Sequence, residues 1–105
     1  MRQLPEPSVA DIRLTEVLRA LSDPIRLVLA AKLAAVEELR CTEAGMDLEI
    51  HKSTLSYHYR TLREAGVMRT YAVGRERHLR LRRQDLDLRF PGLLDAILAA
   101  ARNSR

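Results

Sequence analysis

Along this chain the apolar positions recur at helical spacing from residue 9 to 66, with one irregular interruption. They then alternate with polar ones to about residue 83 and return to helical spacing near 91. In the first segment, Val9 to Leu21, Ile12, Leu14, Val17, Leu18 and Leu21 form a stripe that predicts a helix ended by Ser22-Asp23-Pro24. Asp23 is placed to cap a second helix, with Pro24 at its first position, where the missing N–H costs nothing. That helix is expected from Pro24 to about Glu38. Ile25, Leu27, Val28, Leu29, Leu33 and Val36 make it apolar over more than half its surface, the mark of a central helix. Residues 39–50 are the irregular interruption; a turn, a short helix near Thr42 to Met46 and a second turn are expected there.

Residues 51–66, HKSTLSYHYRTLREAG, organise the rest. As a helix they put Leu55, Tyr59, Leu62 and Ala65 on one face for packing, and Lys52, Ser53, Ser56, Tyr57 and Arg60 on the other. Gly66 is placed to close this helix in the left-handed conformation, which costs Gly no steric clash. Its start is open between His51, a poor cap, and Ser53, a good one if the helix begins later. The alternation that follows, with Met68, Tyr71, Val73, Leu79 and Leu81 as packing residues, predicts a hairpin whose tip, Gly74 to Arg77, carries two guanidiniums. A helix with hydroxyls and amines on its outer face, joined by one Gly to a basic hairpin, reads as a recognition helix plus a wing. The predicted fold is mainly α with a small β-hairpin: a winged helix-turn-helix domain over 9–105, with the recognition helix at about 53–65 and the wing at about 68–83.

Residues 1–8, with two prolines, are expected to be a flexible or extended lead-in, and Gln84 to Arg89 a short connection. Phe90-Pro91-Gly92 introduces a final helix over about 91–102 with a strong apolar stripe. The first and last helices carry more apolar surface than a small core needs. Leu14, Val17 and Leu18, with Leu93, Leu94, Ile97 and Leu98, are therefore expected to form a two-fold dimer seam. Such a dimer would hold two recognition helices about 34 Å apart, one turn of DNA.

Charge sharpens the picture. The chain has 105 residues and a net charge of +4, and from Lys52 to Arg89 ten Lys or Arg face four acids, which suggests a polyanionic partner. Length allows one domain, and the low aromatic content leaves the core to Leu, Val, Ile and Ala. With Cys41 the only cysteine, no intrachain disulfide can form. No apolar run is long enough to span a bilayer, and the first residues lack the apolar segment of a signal peptide, so a cytoplasmic, nucleoid-associated protein with no membrane partner is expected. No phosphate-binding Gly loop or nucleophile–base arrangement supports an enzyme.

Two motifs resemble one family. Ala20-Leu21-Ser22-Asp23-Pro24-Ile25-Arg26-Leu27 is similar to the ALSDPTRL segment of arsenic-repressor (ArsR/SmtB-type) winged helix-turn-helix regulators. Lys52 to His58, followed by Leu62-Arg63-Glu64-Ala65-Gly66-Val67, is similar to that family's recognition helix and its exit. Arg89 to Asp95 resembles the start of the C-terminal helix in a subset of the family. The resemblance covers about residues 12–98 and implies a small dimeric repressor that binds a palindromic operator in double-stranded DNA and leaves it when a small-molecule inducer, here unidentified, binds. By position it implies that Lys52, Ser53, Ser56 and Tyr57 face base edges. Thr54 and Arg60 would hold phosphates, and Arg75 and Arg77 would reach the flanking minor groove or backbone.

The departures concern sensing. Metal-sensing members carry a cysteine pair at the helix-turn-helix, or an Asp-x-His and His-x-x-Glu set on the last helix. Here Cys41 stands alone and the last helix has Asp95 but no histidine, so no metal and no cofactor is expected. Cys41 reads as a redox switch or as a small buried hydrophobe, the latter favoured. His58, beside the apolar stripe, reads as a hydrogen-bonded structural residue, and His51 and His78 as solvated surface or as extra phosphate contacts. The rival from another class is a winged-helix module that binds a protein.

Overall fold

The structure, a computed structural model, describes residues 2–103. A short strand, β1 (Arg2–Gln3), and a 3-10 turn at Val9–Asp11 lead to α1 (Leu14–Leu21) and α2 (Pro24–Ala34). Strand β2 (Leu39–Arg40) precedes α3 (Cys41–Ala44) and α4 (Lys52–Glu64). The hairpin β3 (Met68–Val73) and β4 (Glu76–Leu81) follows, then α5 (Arg83–Arg89) and α6 (Leu93–Asn103). The strands form one antiparallel sheet in the order β1-β3-β4-β2. This is a winged helix fold, mainly α with a small antiparallel sheet.

Local chemistry sets the element ends. The Asp23 carboxylate accepts the N–H groups of Ile25 (2.9 Å) and Arg26 (3.1 Å), capping α2 behind Pro24 as expected. At the far end of α4, the Val67 N–H donates to the Leu62 carbonyl (3.0 Å) and the Gly66 N–H to that of Arg63 (3.1 Å), with Gly66 at φ +87°. That is the Schellman pattern, and Leu62 and Val67, both fully buried, supply its hydrophobic contact. A Cβ at Gly66 would also sit 2.7 Å from the Ile12 side chain. The hairpin turns on two residues, Gly74 (φ +62°) and Arg75, between the paired Val73 and Glu76. Glu76 and Arg77, expected at the tip, thus already belong to β4.

The core packs Ile12, Val17, Leu29, Leu33, Leu62, Val67, Met68 and Leu79 at 2% exposure or less. Reaching it changes the expected first helix. Ile12 is extended, its carbonyl held by Arg89 (2.6 Å) and its side chain under Gly66, so α1 starts only at Leu14. The second helix stops at Ala34 instead of running to Glu38, because Leu39 and Arg40 pair with Leu79 and His78.

One further expectation is narrowed and one corrected. Within its described residues the lead-in is extended rather than a flexible tail. Arg2 and Gln3 pair with Ala72 and Tyr71, the Leu4 N–H donates to the Thr70 carbonyl (2.9 Å), and Leu4 is buried. The exposed edge of β3 takes a partner from the nearest extended segment. The connection at 84–89 is helical as α5: Leu86 is buried at 2%, while Leu88, at 74% exposure, leaves too little apolar periodicity to announce a helix. Met1, in the expected lead-in, and Ser104 and Arg105, in the expected domain, lie outside the described residues.

Candidate nucleic-acid interface

Helix α4 begins one residue earlier than expected, and His51 is its cap. The His51 Nδ1 accepts the Ser53 N–H (3.2 Å) and lies 2.8 Å from the Ser53 Oγ, so Ser53 sits in the first turn with its hydroxyl engaged. Imidazole nitrogen does here what a carboxylate or hydroxyl more often does.

The inner face of α4 buries His58, Tyr59, Leu62 and Ala65, with Leu55 half-buried. The Tyr59 hydroxyl donates to the Cys41 carbonyl (2.8 Å), and burial raises its pKa. His58 is the hydrogen-bonded structural residue expected. An arginine can only donate, so the His58 Nδ1, 3.1 Å from the Arg26 guanidinium, is the acceptor. The same buried Arg26 donates to the Ala20 carbonyl at 2.6 Å. One side chain therefore ties the end of α1 and the start of α2 to the middle of α4. Gly45 sets the approach of α3: a Cβ there would lie 2.2 Å from the Leu55 Cδ2.

The outer face then projects from a fixed base. Lys52, Ser53, Thr54, Ser56, Tyr57 and Arg60 are all exposed, as are Arg75 and Arg77 on the wing. The Arg60 guanidinium lies 5.9 Å from the Tyr57 ring centroid, a cation–π distance.

The structure splits the basic stretch in two. Arg69 and Arg82 bridge Glu6 and Asp85 at 2.8–3.4 Å, Arg80 pairs with Glu38 (2.7 Å), and Arg83 with Asp95 (2.8 Å). Arg89 is committed to the Ile12 carbonyl. Within residues 52–89, Lys52, Arg60, Arg75 and Arg77 meet no acid among the described residues, and all lie on α4 or the hairpin end; Arg63 meets no acid either but donates to the Pro5 carbonyl (3.2 Å). Arg63 was missed in the sequence; its spacing of seven from Ser56 and eleven from Lys52 puts it on their flank of the helix. His78 is not part of this set, for its Nδ1 meets Glu38 at 2.8 Å on the outward sheet face. The hydrogen bonds from His78 and Arg80 hold the Glu38 carboxyl below its usual range.

Between α3, the near flank of α4 and the sheet lies a cleft of about 650 Å³ lined by Cys41, Lys52, Leu55, Thr70, Arg77 and their neighbours. Burial pushes the Cys41 thiol up to about 11, against the opposing charge of Arg77. Cys41 is only partly buried and packs against the core at the edge of this cleft. Among the described residues no group of three or more His, Cys, Asp or Glu could hold a metal ion, and no helix is long and apolar enough to cross a membrane.

The expected dimer seam divides. Val17, Leu94 and Leu98 are at 5% exposure or less inside the protomer's own core, because α1 and α6 both lie against α2 and turn one edge of their stripes inward. Leu14 and Leu18 are 43% exposed, while Leu93 and Ile97 are half-buried and pack in part against the core, so these four keep some apolar surface toward the outside.

No family model matches the chain. It is 37% identical over 83 residues, 78% of its own length and 83% of the relative's, to an uncharacterized HTH-type transcriptional regulator, YceK, of Bacillus subtilis (strain 168). Among solved structures, the transcriptional repressor BigR from Xylella fastidiosa superposes with a TM-score of 0.64 at 26% identity, over 83% of this chain and 84% of BigR. An ArsR family transcriptional regulator gives 0.66 at 21% identity, over 87% and 88% of the two chains.

The chain belongs to the HTH-type transcriptional regulators. HlyU from Vibrio cholerae N16961 shares the fold, with a TM-score of 0.68 at 22% identity over 82% of this chain and 88% of HlyU. Membership makes this chain a DNA-binding transcriptional regulator and not an enzyme.

Proposed function

We propose that the protein is a repressor that binds a palindromic operator as a homodimer, with α4 in the major groove and the hairpin end against the flanking backbone. The observation that carries this reading is that, within residues 52–89, the cations Lys52, Arg60, Arg75 and Arg77 meet no acid among the described residues and stand exposed on α4 and the hairpin end. Phosphates would be held by Thr54, Arg60, Arg75 and Arg77, and base edges read by Lys52, Ser53, Ser56 and Tyr57. Ser53 would do so chiefly as an acceptor, since its hydroxyl already faces His51. Leu14, Leu18, Leu93 and Ile97 supply the outward apolar surface for the seam. That BigR is a transcriptional repressor supports the direction of control.

Fluorescence anisotropy against DNA from upstream of the protein's own gene, with a scrambled duplex as control and several salt concentrations, tests the reading. The expected result is tight binding that prefers the native duplex and weakens by orders of magnitude over a few-fold rise in salt. Weak binding with little salt dependence and no preference would favour a protein-binding winged helix instead.

A further inference from the structure

The cleft beside α4 has features that DNA binding alone does not require. Its floor is apolar, from Ile50, Leu55 and Leu79 with the Tyr59 ring. Four cations stand around it, Lys52, Arg60, Arg63 and Arg77, and none of the lining residues is an acid. Arg77 shares the inward sheet face with Leu79, two residues on, and reaches the cleft from the wing, while the other three come from one flank of α4. At 3% exposure, Thr70 lines the cleft from the same sheet face, and its buried hydroxyl makes no hydrogen bond. A buried hydroxyl without a partner is uncommon, and here it stands at a concavity large enough for a small molecule. A phosphate of a duplex passing over α4 would meet the cation rim but not the floor or Thr70.

We propose that this cleft binds a small amphipathic anion, a carboxylate with an apolar body, and that its occupation releases DNA. The apolar body covers Leu55, Leu79 and the Tyr59 ring, and Thr70 finds a partner in the bound molecule. The carboxylate accepts from Arg77 and from Lys52 or Arg60. Lys52, Ser56 and Arg60 line the cleft and also belong to the proposed DNA face, so the two ligands compete for the same donors. The release step rests on the operator-binding reading above; the binding step does not.

Decanoate is the probe, used below its micelle-forming range, with 1-decanol as its uncharged counterpart. Calorimetry and amide NMR on the free protein read binding, and anisotropy on a preformed protein–DNA complex reads release. Saturable decanoate binding is expected, with shifts confined to α3, the cleft flank of α4 and β3–β4. Binding should be at least tenfold weaker for decanol and for Arg77→Gln, and several-fold weaker for Thr70→Val, whose shape is kept. Circular dichroism melting of both variants shows that they fold. No saturable binding, equal affinity for decanol, or shifts elsewhere on the surface would overturn the proposal. Because binding is read without DNA, a protein that takes decanoate in the cleft yet binds no operator keeps the site and sinks the operator reading. A protein that binds operator and ignores decanoate does the reverse.

Discussion

Two regions of this molecule are built from the same side chain and use it in opposite ways. At the N-terminal edge of the sheet, Arg69 and Arg82 are folded in among Glu6, Asp85 and the Pro7 carbonyl, with the Arg82 side chain 2% exposed. On α4 and the hairpin end, Arg60, Arg75 and Arg77 are exposed and meet no acid. In the first region the charge is internally neutralised and its energetic weight is structural. In the second it is left for a partner. Net charge along the sequence cannot separate the two, because the acids that neutralise Arg69 and Arg82 include Glu6, more than sixty positions away in the chain.

The largest effect expected from breaking that contrast belongs to Arg82. Arg82→Ala would leave Glu6 and Asp85 with half of their compensation in a water-poor site and remove the tether to Pro7. Breaking a buried pair by removing one partner costs about 3–5 kcal/mol. Chemical denaturation should report a loss of that order, while the DNA affinity of the fraction that stays folded should be nearly unchanged. A loss of affinity without a loss of stability would place Arg82 in the binding region and erase the distinction.

The exposed pair should behave the other way. Arg75→Ala with Arg77→Ala is expected to leave stability within about 0.5 kcal/mol. It should lower affinity for native and scrambled duplexes alike and reduce the salt slope by up to about two, one for each phosphate that is no longer held. An unchanged slope would show that the wing does not touch the backbone.

How much of this was legible in the sequence follows from the range of the interactions involved. Helix α2 with its Asp23 cap, the Gly66 exit of α4 and the hairpin were readable because their determinants sit within a few residues of one another. Long-range pairings were not readable. The partnership of β1 with β3 spans almost seventy residues and fills a sheet edge, and α5 hides behind alternating charges with Leu86 as its buried apolar anchor. The apolar stripes of α1 and α6 are visible in the sequence, but not which edge of each turns inward. For that reason Val17, Leu94 and Leu98 read as seam although they belong to the core. His51 does not announce itself as a cap, because imidazole seldom serves there.

A smaller effect would sharpen the contrast from the recognition side, where one acid does have a fixed duty. Burial alone would raise the Asp23 carboxyl, but the Arg26 and Ile25 N–H groups and the Arg26 charge outweigh it and hold the group below its usual value. A carboxyl lowered on folding contributes stability that is fully present above its ordinary pKa and is lost as pH falls through the folded one. Asp23→Ala should cost about 1 kcal/mol near neutral pH, the usual worth of such a cap, and the variant should lose less than the parent on acidification. Denaturation midpoints at pH 7 and near pH 3 check both signs. An equal loss in both proteins would mean that another acid governs the low-pH limb.

The finest division lies within the exposed face itself, between side chains proposed to hold DNA and those proposed to choose it. Ser56 and Tyr57 carry no charge, and Tyr57 is 52% exposed, so removing either should change non-specific affinity little. Ser56→Ala would delete one neutral hydrogen bond, worth about 1 kcal/mol or roughly fivefold in affinity, and only on the duplex whose base edge the hydroxyl meets. Anisotropy on native and scrambled duplexes at one salt concentration reads this as a ratio. A fivefold fall in the ratio would make these positions readers of sequence. Equal losses on both DNAs would assign Ser56 and Tyr57 to the backbone-holding set, and the burden of specificity would then pass to Lys52 and Ser53 at the start of α4.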